Sequence, residues 1–210
     1  MRKIFLLLFP LLLAAAGGAQ ASILLITMNT SSIDGDLGSL DFSLSSGAGS
    51  DQSLTATVYQ FVGGSYGGTQ ETDGDVSGGP VTSGSAVTIG PIPDAFGLND
   101  DFETFNYGHT LTFYVSLSGP ALTAPDGSAT SPYEFDFETF SDAAGTVPVL
   151  TPDPNGISGK IDVSPDGVVT YSDVSPNITI SPEPGTVWLF AGAIGAAFLL
   201  RRRIGAPSSR

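Results

Sequence analysis

Apolar and polar residues alternate in short stretches between residues 22 and 180, and clusters of Gly, Pro, Ser, Asn and Asp separate these stretches. The clearest stretch runs from Leu111 to Leu117, where every second residue is apolar. A period of two predicts half-buried strands of an antiparallel sheet. Further strands are predicted at residues 22–28, 40–44, 54–59, 87–89, 133–138, 161–163, 168–171 and 178–180. Because no stretch of this region has helical periodicity, we predict an all-β fold over residues 22–172, an antiparallel β-sandwich with jelly-roll-like topology.

Three segments of this domain give weaker signals. Pro165-Asp166-Gly167 predicts a turn, and therefore a hairpin between the strands on either side. The Gly- and Ser-rich segment 63–84 predicts loops, either a flexible excursion or a binding loop. The pentapeptide Asp-Phe-Glu-Thr-Phe occurs at 101–105 and again at 136–140, with flanks that do not match. We interpret this repeat as chance, with the second copy in a strand and the first in a loop or at a sheet edge.

The N-terminal residues have the three parts of a secretory signal peptide. Arg2 and Lys3 precede an apolar stretch over residues 4–16, and Ala19-Gln20-Ala21 supplies the small residues of a cleavage site. We predict export by the general secretory route, because the chain has no twin-arginine pair there, and removal of residues 1–21 after Ala21. The alternative is an uncleaved N-terminal anchor.

A second apolar segment lies near the C-terminus. Residues 185–200 carry no charge, and sixteen helical residues span about 24 Å, against about 30 Å for a typical hydrocarbon core. We predict a short transmembrane helix, followed by a basic cytoplasmic tail at residues 201–210, so that the β domain lies outside the cytoplasm. Residues 173–184 include Pro182 and Pro184, which disfavour helix, and predict an extended linker that lifts the domain off the membrane.

Pro182-Glu183-Pro184, the apolar segment and Arg201-Arg202-Arg203 follow one another in an order that resembles the PEP-CTERM sorting signal of Gram-negative bacteria. The resemblance implies recognition by exosortase, a membrane-embedded cysteine protease with an expected transpeptidase activity, and cleavage near the Pro-Glu-Pro. Seven residues follow the arginines, where members of the family often end almost at once. A plain C-terminal membrane anchor is the alternative interpretation.

A second resemblance covers most of the β domain. Thr30-Ser31-Ser32, Leu40-Asp41-Phe42, Gly74-Asp75-Val76 and the segment 117–122 look like a family of PEP-CTERM proteins of uncharacterised function. These are strand and turn motifs with no chemistry attached, so this resemblance implies a fold and no activity.

Charge is unevenly divided between the domain and the two terminal signals. Residues 22–181 contain twenty acidic residues and one basic residue, Lys160, for a formal charge of −19. Phosphate contacts need Lys and Arg, so this charge argues against nucleic acid and anionic lipid as partners. The chain has no cysteine, which excludes thiol catalysis and cysteine metal sites.

Candidate chemistry within the domain is sparse. His109 is the single histidine, no Gly-x-Ser-x-Gly motif accompanies it, and a strand-edge position beside Gly108 explains it. We expect no cofactor, with calcium as the one candidate, because hard cations take oxygen ligands. No segment follows the EF-hand pattern, and Asp-Gly is equally a turn signal. The candidate calcium ligands form three acidic segments: Asp34 and Asp36, Asp73 and Asp75, and Asp100, Asp101 and Glu103.

Together these features predict an exported structural or interaction protein without enzymatic activity. It is expected to be sorted by an exosortase-like enzyme and displayed at the cell surface or in the exopolysaccharide matrix, since PEP-CTERM systems are associated with exopolysaccharide production. A carbohydrate-binding β-sandwich module is the first alternative. A secreted hydrolase is the second, because a glycoside hydrolase needs two carboxyl groups and the domain has many.

Overall fold

The computed structural model describes residues 22–92 and 97–183. The predicted signal cleavage site at Ala19 and Ala21, the predicted transmembrane helix, Pro184 and Arg201-Arg202-Arg203 lie outside these ranges. Within them, no helix has the length and hydrophobicity that a bilayer crossing needs.

The described residues form ten strands of one antiparallel sheet, which confirms the predicted all-β class. Helical structure in these ranges is limited to a 3₁₀ turn at Ser31–Ile33 and the four-residue helix α1 at Pro120–Thr123. The strands are β1 (Ser22–Asn29), β2 (Leu37–Ser45), β3 (Leu54–Asp73), β4 (Val76–Gly78), β5 (Ala86–Ile92), β6 (Leu98–Ser118), β7 (Tyr133–Phe140), β8 (Ile157–Val163), β9 (Val169–Asp173) and β10 (Ile178–Pro182).

Two long strands, β3 and β6, divide the sheet into two halves. One half has the strand order β4-β5-β3-β6-β1-β10 and contains only residues 54–62 of β3 and 110–118 of β6. The strand residues in this half carry no charge. We name this group the uncharged half. The other half has the strand order β3-β6-β2-β7-β8-β9 and contains residues 63–73 of β3 and 98–106 of β6. The strand residues in this half include eleven acidic residues and Lys160. We name this group the acidic half.

The two halves pack their apolar faces against each other. Phe42 of β2 meets Phe113 of β6 edge-on, with ring centroids 5.6 Å apart, and Phe113 meets Phe137 of β7 in the same way at 5.6 Å. Edge-to-face contacts of this kind are a favoured aromatic arrangement. All three rings are almost completely buried, so the core lies between the halves.

The long strands pass from one half to the other through an irregular segment. The β3–β6 ladder shifts register between Tyr59 and Gly64. Gly63 has a φ of 98°, and a Cβ there would lie 1.6 Å from the carbonyl oxygen of Thr110. This conformation and this close approach require glycine, which therefore fixes the point where the sheet changes halves.

The prediction of loops over residues 63–84 is wrong for about two thirds of the segment. Residues 63–73 continue β3, and Val76–Gly78 forms β4. Gly and Ser have low strand propensity, but pairing with β6 overrides it. At Gly64 a Cβ would lie 2.3 Å from the Phe105 ring, so glycine lets this strand approach its neighbour closely.

The prediction of a separate linker over residues 173–184 is also wrong for most of its length. Asp173 ends β9, and β10 pairs with β1 from Met28↔Ile178 to Leu24↔Pro182. The backbone N–H of Glu183 donates to the carbonyl oxygen of Ile23 at 3.0 Å. Proline is tolerated on an edge strand, and β10 pairs with β1 alone among the described strands. Pro182 is thus part of the sheet, and Glu183 is tied directly to it.

The predicted hairpin near residue 166 is confirmed. β8 and β9 pair from Val163↔Val169 to Gly159↔Asp173. The N–H of Gly167 donates to the carbonyl oxygen of Ser164 at 2.8 Å and closes the turn.

Candidate functional site

The outer surface of the acidic half concentrates the charge of the folded domain. Side chains alternate across each strand, and the apolar residues of β2, β7 and β8 face the core. The polar residues between them therefore share the outer surface. The charged members of this surface are Asp41, Glu71, Asp73, Asp100, Glu134, Asp136, Glu138, Lys160 and Asp162.

A cleft of about 610 Å³ opens on this surface. Five carboxyl groups from four strands line it, and Phe102 and Phe140 provide apolar walls. The strand register accounts for the grouping, because cross-strand pairing sets Asp41 opposite Glu138 and Asp73 opposite Asp100. The lining acids are Asp41, Glu71, Asp73, Asp100 and Glu138.

Two carboxyl groups of the cleft, those of Asp41 and Glu138, resist ionisation. Burial, followed by the charges of Asp100 and Asp101, raises the pKa of Asp41 to about 7. Burial, followed by the charge of Asp41, likewise raises the pKa of Glu138 to about 7. Within the described residues, Oδ1 of Asp41 has no hydrogen-bond donor. The cleft can therefore take up and release protons near neutral pH.

Lys160, on β8, is the single Lys or Arg of the described ranges, and it contacts acids of the same outer surface. Its Nζ is 2.6 Å from Oε1 of Glu134 and 3.8 Å from Oδ1 of Asp136. Even so, burial and the charge of Glu134 raise the pKa of Asp136 to about 7. One ammonium group therefore does not neutralise this surface.

A second acidic group, Asp101 and Glu103, points the opposite way, into the protein interior. Both residues are fully buried. The two residues lie two positions apart on the buried face of β6, and the charge of Asp101 disfavours ionisation of Glu103. Oδ1 of Asp101 also accepts a hydrogen bond from Nε2 of Gln70 at 2.7 Å, and both carboxyl oxygens of Glu103 accept from the N–H of Val81, at 2.8 and 2.9 Å.

Burial is the main cause of the unusual protonation of this pair. Together with the charge of Asp101, it raises the pKa of Glu103 to about 8. Burial also raises the pKa of Asp101, although the hydrogen bond from Gln70 opposes this change. At neutral pH Glu103 therefore keeps its proton.

The seven candidate calcium ligands do not form one site. Asp73 and Asp100 line the cleft, Asp101 and Glu103 are buried beneath the sheet, and the others lie in turns. Within residues 22–92 and 97–183, no three acidic or histidine side chains are grouped so as to hold a metal ion. The expectation that residues 99–103 form a loop is wrong, because they lie within β6.

Turn chemistry accounts for the two Asp-Gly-Asp segments. Gly35 and Gly74 both have positive φ, at 85° and 73°. The N–H of Gly74 donates to Oδ1 of Asp73 at 2.9 Å. Asp34 and Asp36 flank Gly35, whose N–H donates to the carbonyl oxygen of Tyr107 at 2.8 Å. These are the roles that Asp and Gly have in tight turns.

His109 lies within β6 next to Gly108 and not at the predicted strand edge, and its side chain is exposed. Its Nδ1 is 3.6 Å from Oδ2 of Asp34. No serine hydroxyl is hydrogen-bonded to the imidazole in the described residues, so the geometry does not assemble a catalytic triad there.

The acidic cleft and the buried pair are the functional features that the sequence analysis missed. The cleft depends on which strands are neighbours, and alternation within single strands does not reveal that. The buried pair had a usable signal, because Asp101 and Glu103 share the odd-numbered phase of Leu111, Phe113 and Val115, which is buried along β6 except at His109.

Comparison with models of known protein families gives no match, and comparison with curated proteins gives none either.

Proposed function

We propose that this chain is an exported protein that an exosortase-like enzyme sorts through its C-terminal signal, and that it serves a structural or interaction role at the cell surface or in an exopolysaccharide matrix. The observation that carries this proposal is the order of Pro182-Glu183-Pro184, an uncharged apolar segment and Arg201-Arg202-Arg203 at the end of the chain. The end of the folded domain supports it, because β10 ends at Pro182, the first residue of the motif. The motif therefore marks the junction between the domain and the segment to be removed.

We also propose that the domain is a β-sandwich of jelly-roll-like topology. Face-to-face packing of the two halves supports this assignment, as do the ring contacts of Phe42 and Phe137 with Phe113. In a sandwich, both outer surfaces stay available for partners. This architecture suits a protein whose role is display and contact.

The C-terminus of the mature protein tests the sorting proposal. Protein recovered from outside the cytoplasm is analysed by mass spectrometry of its C-terminal peptide. We expect a terminus near residues 182–184, and we expect Pro184→Ala to reduce processing while Pro207→Ala, in the tail beyond the arginines, does not. An intact tail through Arg210 on inner-membrane protein would show a permanent anchor and overturn the sorting proposal.

A carbohydrate-binding role is the second candidate, and the cleft favours it. Carboxylate oxygens accept hydrogen bonds from sugar hydroxyls, and Phe102 offers an apolar ring beside them. Binding of the host exopolysaccharide, lost in Asp41→Asn and Glu138→Gln but kept in Asp166→Asn on the distant β8–β9 turn, would support this role. Release of reducing sugar during the same assay would instead indicate a hydrolase.

A further inference from the structure

We propose that the outer surface of the uncharged half is the face that the protein lays on the lipid bilayer into which residues 185–200 insert. This inference rests on the proposed function, because it assumes that the C-terminal segment anchors the protein at least until processing. It goes further in assigning a membrane-facing surface and an orientation to the folded domain.

The length of chain between domain and anchor is the first argument. Glu183 is hydrogen-bonded to Ile23 of β1, and Pro184 is the one residue between Glu183 and the apolar segment that starts at Gly185. An extended chain covers at most about 3.6 Å per residue, so the apolar segment starts within roughly 7 Å of Glu183. The headgroup layer on one side of a bilayer is itself roughly 6 Å thick. The domain therefore has to rest on the headgroups while the anchor is inserted.

The position of the junction selects the half of the sheet that makes this contact. β10 and β1 are neighbouring strands of the uncharged half, and the chain leaves the domain beside Ile23. Ile23 lies opposite Ser116, and Ser116 lies opposite Thr57, so this row crosses the outer surface from the junction inwards. The acidic surface belongs to the other half, on the opposite side of the core.

The charge distribution is the second argument. The strands of the uncharged half carry no Asp, Glu, Lys, Arg or His, and Glu183, whose charge acts on Tyr59, lies at the junction with the anchor. Away from the junction, this outer surface therefore meets headgroups without desolvating a charge. The outer surface of the acidic half carries eight carboxyl groups, and its contact with a membrane that contains anionic lipid is repulsive. Both effects turn the same surface towards the bilayer.

The side chains of this surface are the third argument. Tyr59 and Tyr114 stack side by side across β3 and β6, with ring centroids 5.6 Å apart and planes 24° apart. Leu25 of β1 pairs with Tyr114, and Val62 at the edge of the same patch is 63 % exposed. Tyrosine suits the membrane interface because its ring is apolar and its hydroxyl stays hydrated. The patch has the chemistry of an interfacial contact.

Single-cysteine labelling of the full chain tests this orientation, since the native chain has no cysteine. Thr57→Cys and Thr112→Cys report on the uncharged surface, and Ser43→Cys reports on the acidic surface. All three are half-buried, outward-facing strand positions, and circular dichroism checks that each variant folds. Each labelled protein is reconstituted into phosphatidylcholine vesicles that contain a lipid with a nitroxide on its headgroup.

We expect the fluorophores at residues 57 and 112 to be quenched several-fold more strongly than the fluorophore at residue 43. Equal quenching, or stronger quenching at residue 43, in protein that floats with the vesicles overturns the orientation and leaves the anchor intact. Protein that does not float with the vesicles overturns the anchor, and with it both the proposed sorting and this inference. Shielding of residue 57 from soluble iodide by the host exopolysaccharide, without quenching by lipid, assigns the surface to a glycan and overturns the lipid proposal.

Discussion

Glu103→Gln should make the domain more stable at alkaline pH and should change its stability little at acidic pH. The pKa of Glu103 is about 8 in the folded protein, against an ordinary value of 4.5, chiefly because the side chain is buried beside Asp101. Between these two pH values, the carboxyl group keeps its proton in the folded protein and loses it on unfolding. Its contribution to stability is therefore fully present below about pH 4.5, falls as pH rises, and is lost above about pH 8.

The size of the effect follows from the same two values. A change in pKa from 4.5 to about 8 corresponds to about 5 kcal/mol of unfolding free energy lost across that range of pH. Domains are typically stable by roughly 5–15 kcal/mol, so one buried carboxyl group removes a large share of the total. Glutamine is neutral at every pH and has nearly the same shape. The amide oxygen of glutamine can accept a hydrogen bond from the N–H of Val81, and its amide nitrogen can donate a hydrogen bond to Asp101.

Urea unfolding followed by circular dichroism, at about pH 5 and about pH 9, measures the predicted difference. We expect Glu103→Gln to gain several kcal/mol relative to the native protein at the higher pH and less than about 1 kcal/mol at the lower pH. Glu71→Gln is the matched control, because Glu71 is exposed on the neighbouring strand β3 and its replacement should change stability by no more than about 0.5 kcal/mol. Equal destabilisation by Glu103→Gln at both pH values would refute the reasoning, since it would show that Val81 and Gln70 stabilise an ionised pair.

Three further substitutions probe the packing of the domain. Tyr107→Phe should cost about 1–3 kcal/mol in urea unfolding, because the buried hydroxyl of Tyr107 donates to the carbonyl oxygen of Ser39 at 2.5 Å; a cost below 0.5 kcal/mol would contradict this. Gly38→Ala should cost more than about 2 kcal/mol, because the new Cβ would lie 2.2 Å from a backbone oxygen of β7; an unchanged melting temperature would show that the strands separate easily. Ile180→Ala should cost about 2–4 kcal/mol, because the Ile180 side chain is buried in the core and holds β10 in place. The loosened strand should expose the sorting motif to a glutamate-specific protease. Thr179→Ala, at an exposed position of the same strand, should do neither, and equal cleavage of both variants would mean that β10 does not protect the motif.

The sequence predicts the strands whose apolar residues alternate cleanly, because that pattern is itself the requirement for one buried face. Leu40, Phe42 and Leu44 of β2 illustrate this, since all three are buried in the structure. The second half of β3 fails the same test because its side chains contribute little to the core. Its ladder with β6, from Gly64↔Tyr107 to Asp73↔Asp100, holds it in place, and a long-range pairing of that kind leaves no local pattern.

The site is less predictable than the strands, because it depends on the neighbours of each strand. Asp41 lies between Phe102 of β6 and Glu138 of β7, which are far apart in the chain. Burial under these neighbouring strands is the main cause that raises the pKa of Asp41 and Glu138, and the charges of nearby acids from other strands add to it. An acidic composition predicts that some carboxyl groups will be close together, but only the topology determines which ones.

The repeated pentapeptide shows most directly what local sequence leaves undetermined. In β6 the copy at 101–105 turns its two acids into the core, whereas in β7 the copy at 136–140 turns its acids outwards and its first phenylalanine inwards. Both copies pair with β2, where Phe42 lies opposite Asp101 of β6 on one side and opposite Phe137 of β7 on the other.

A shift of one residue exchanges the two faces of a strand, and five residues cannot fix which face is buried. In β6 the phase is set by the apolar residues at 111–117, whose burial outweighs the cost of placing two carboxyl groups inside, and the pair accommodates this by holding a proton. Glu103→Gln therefore tests the energetic consequence of a register that is chosen elsewhere in the strand.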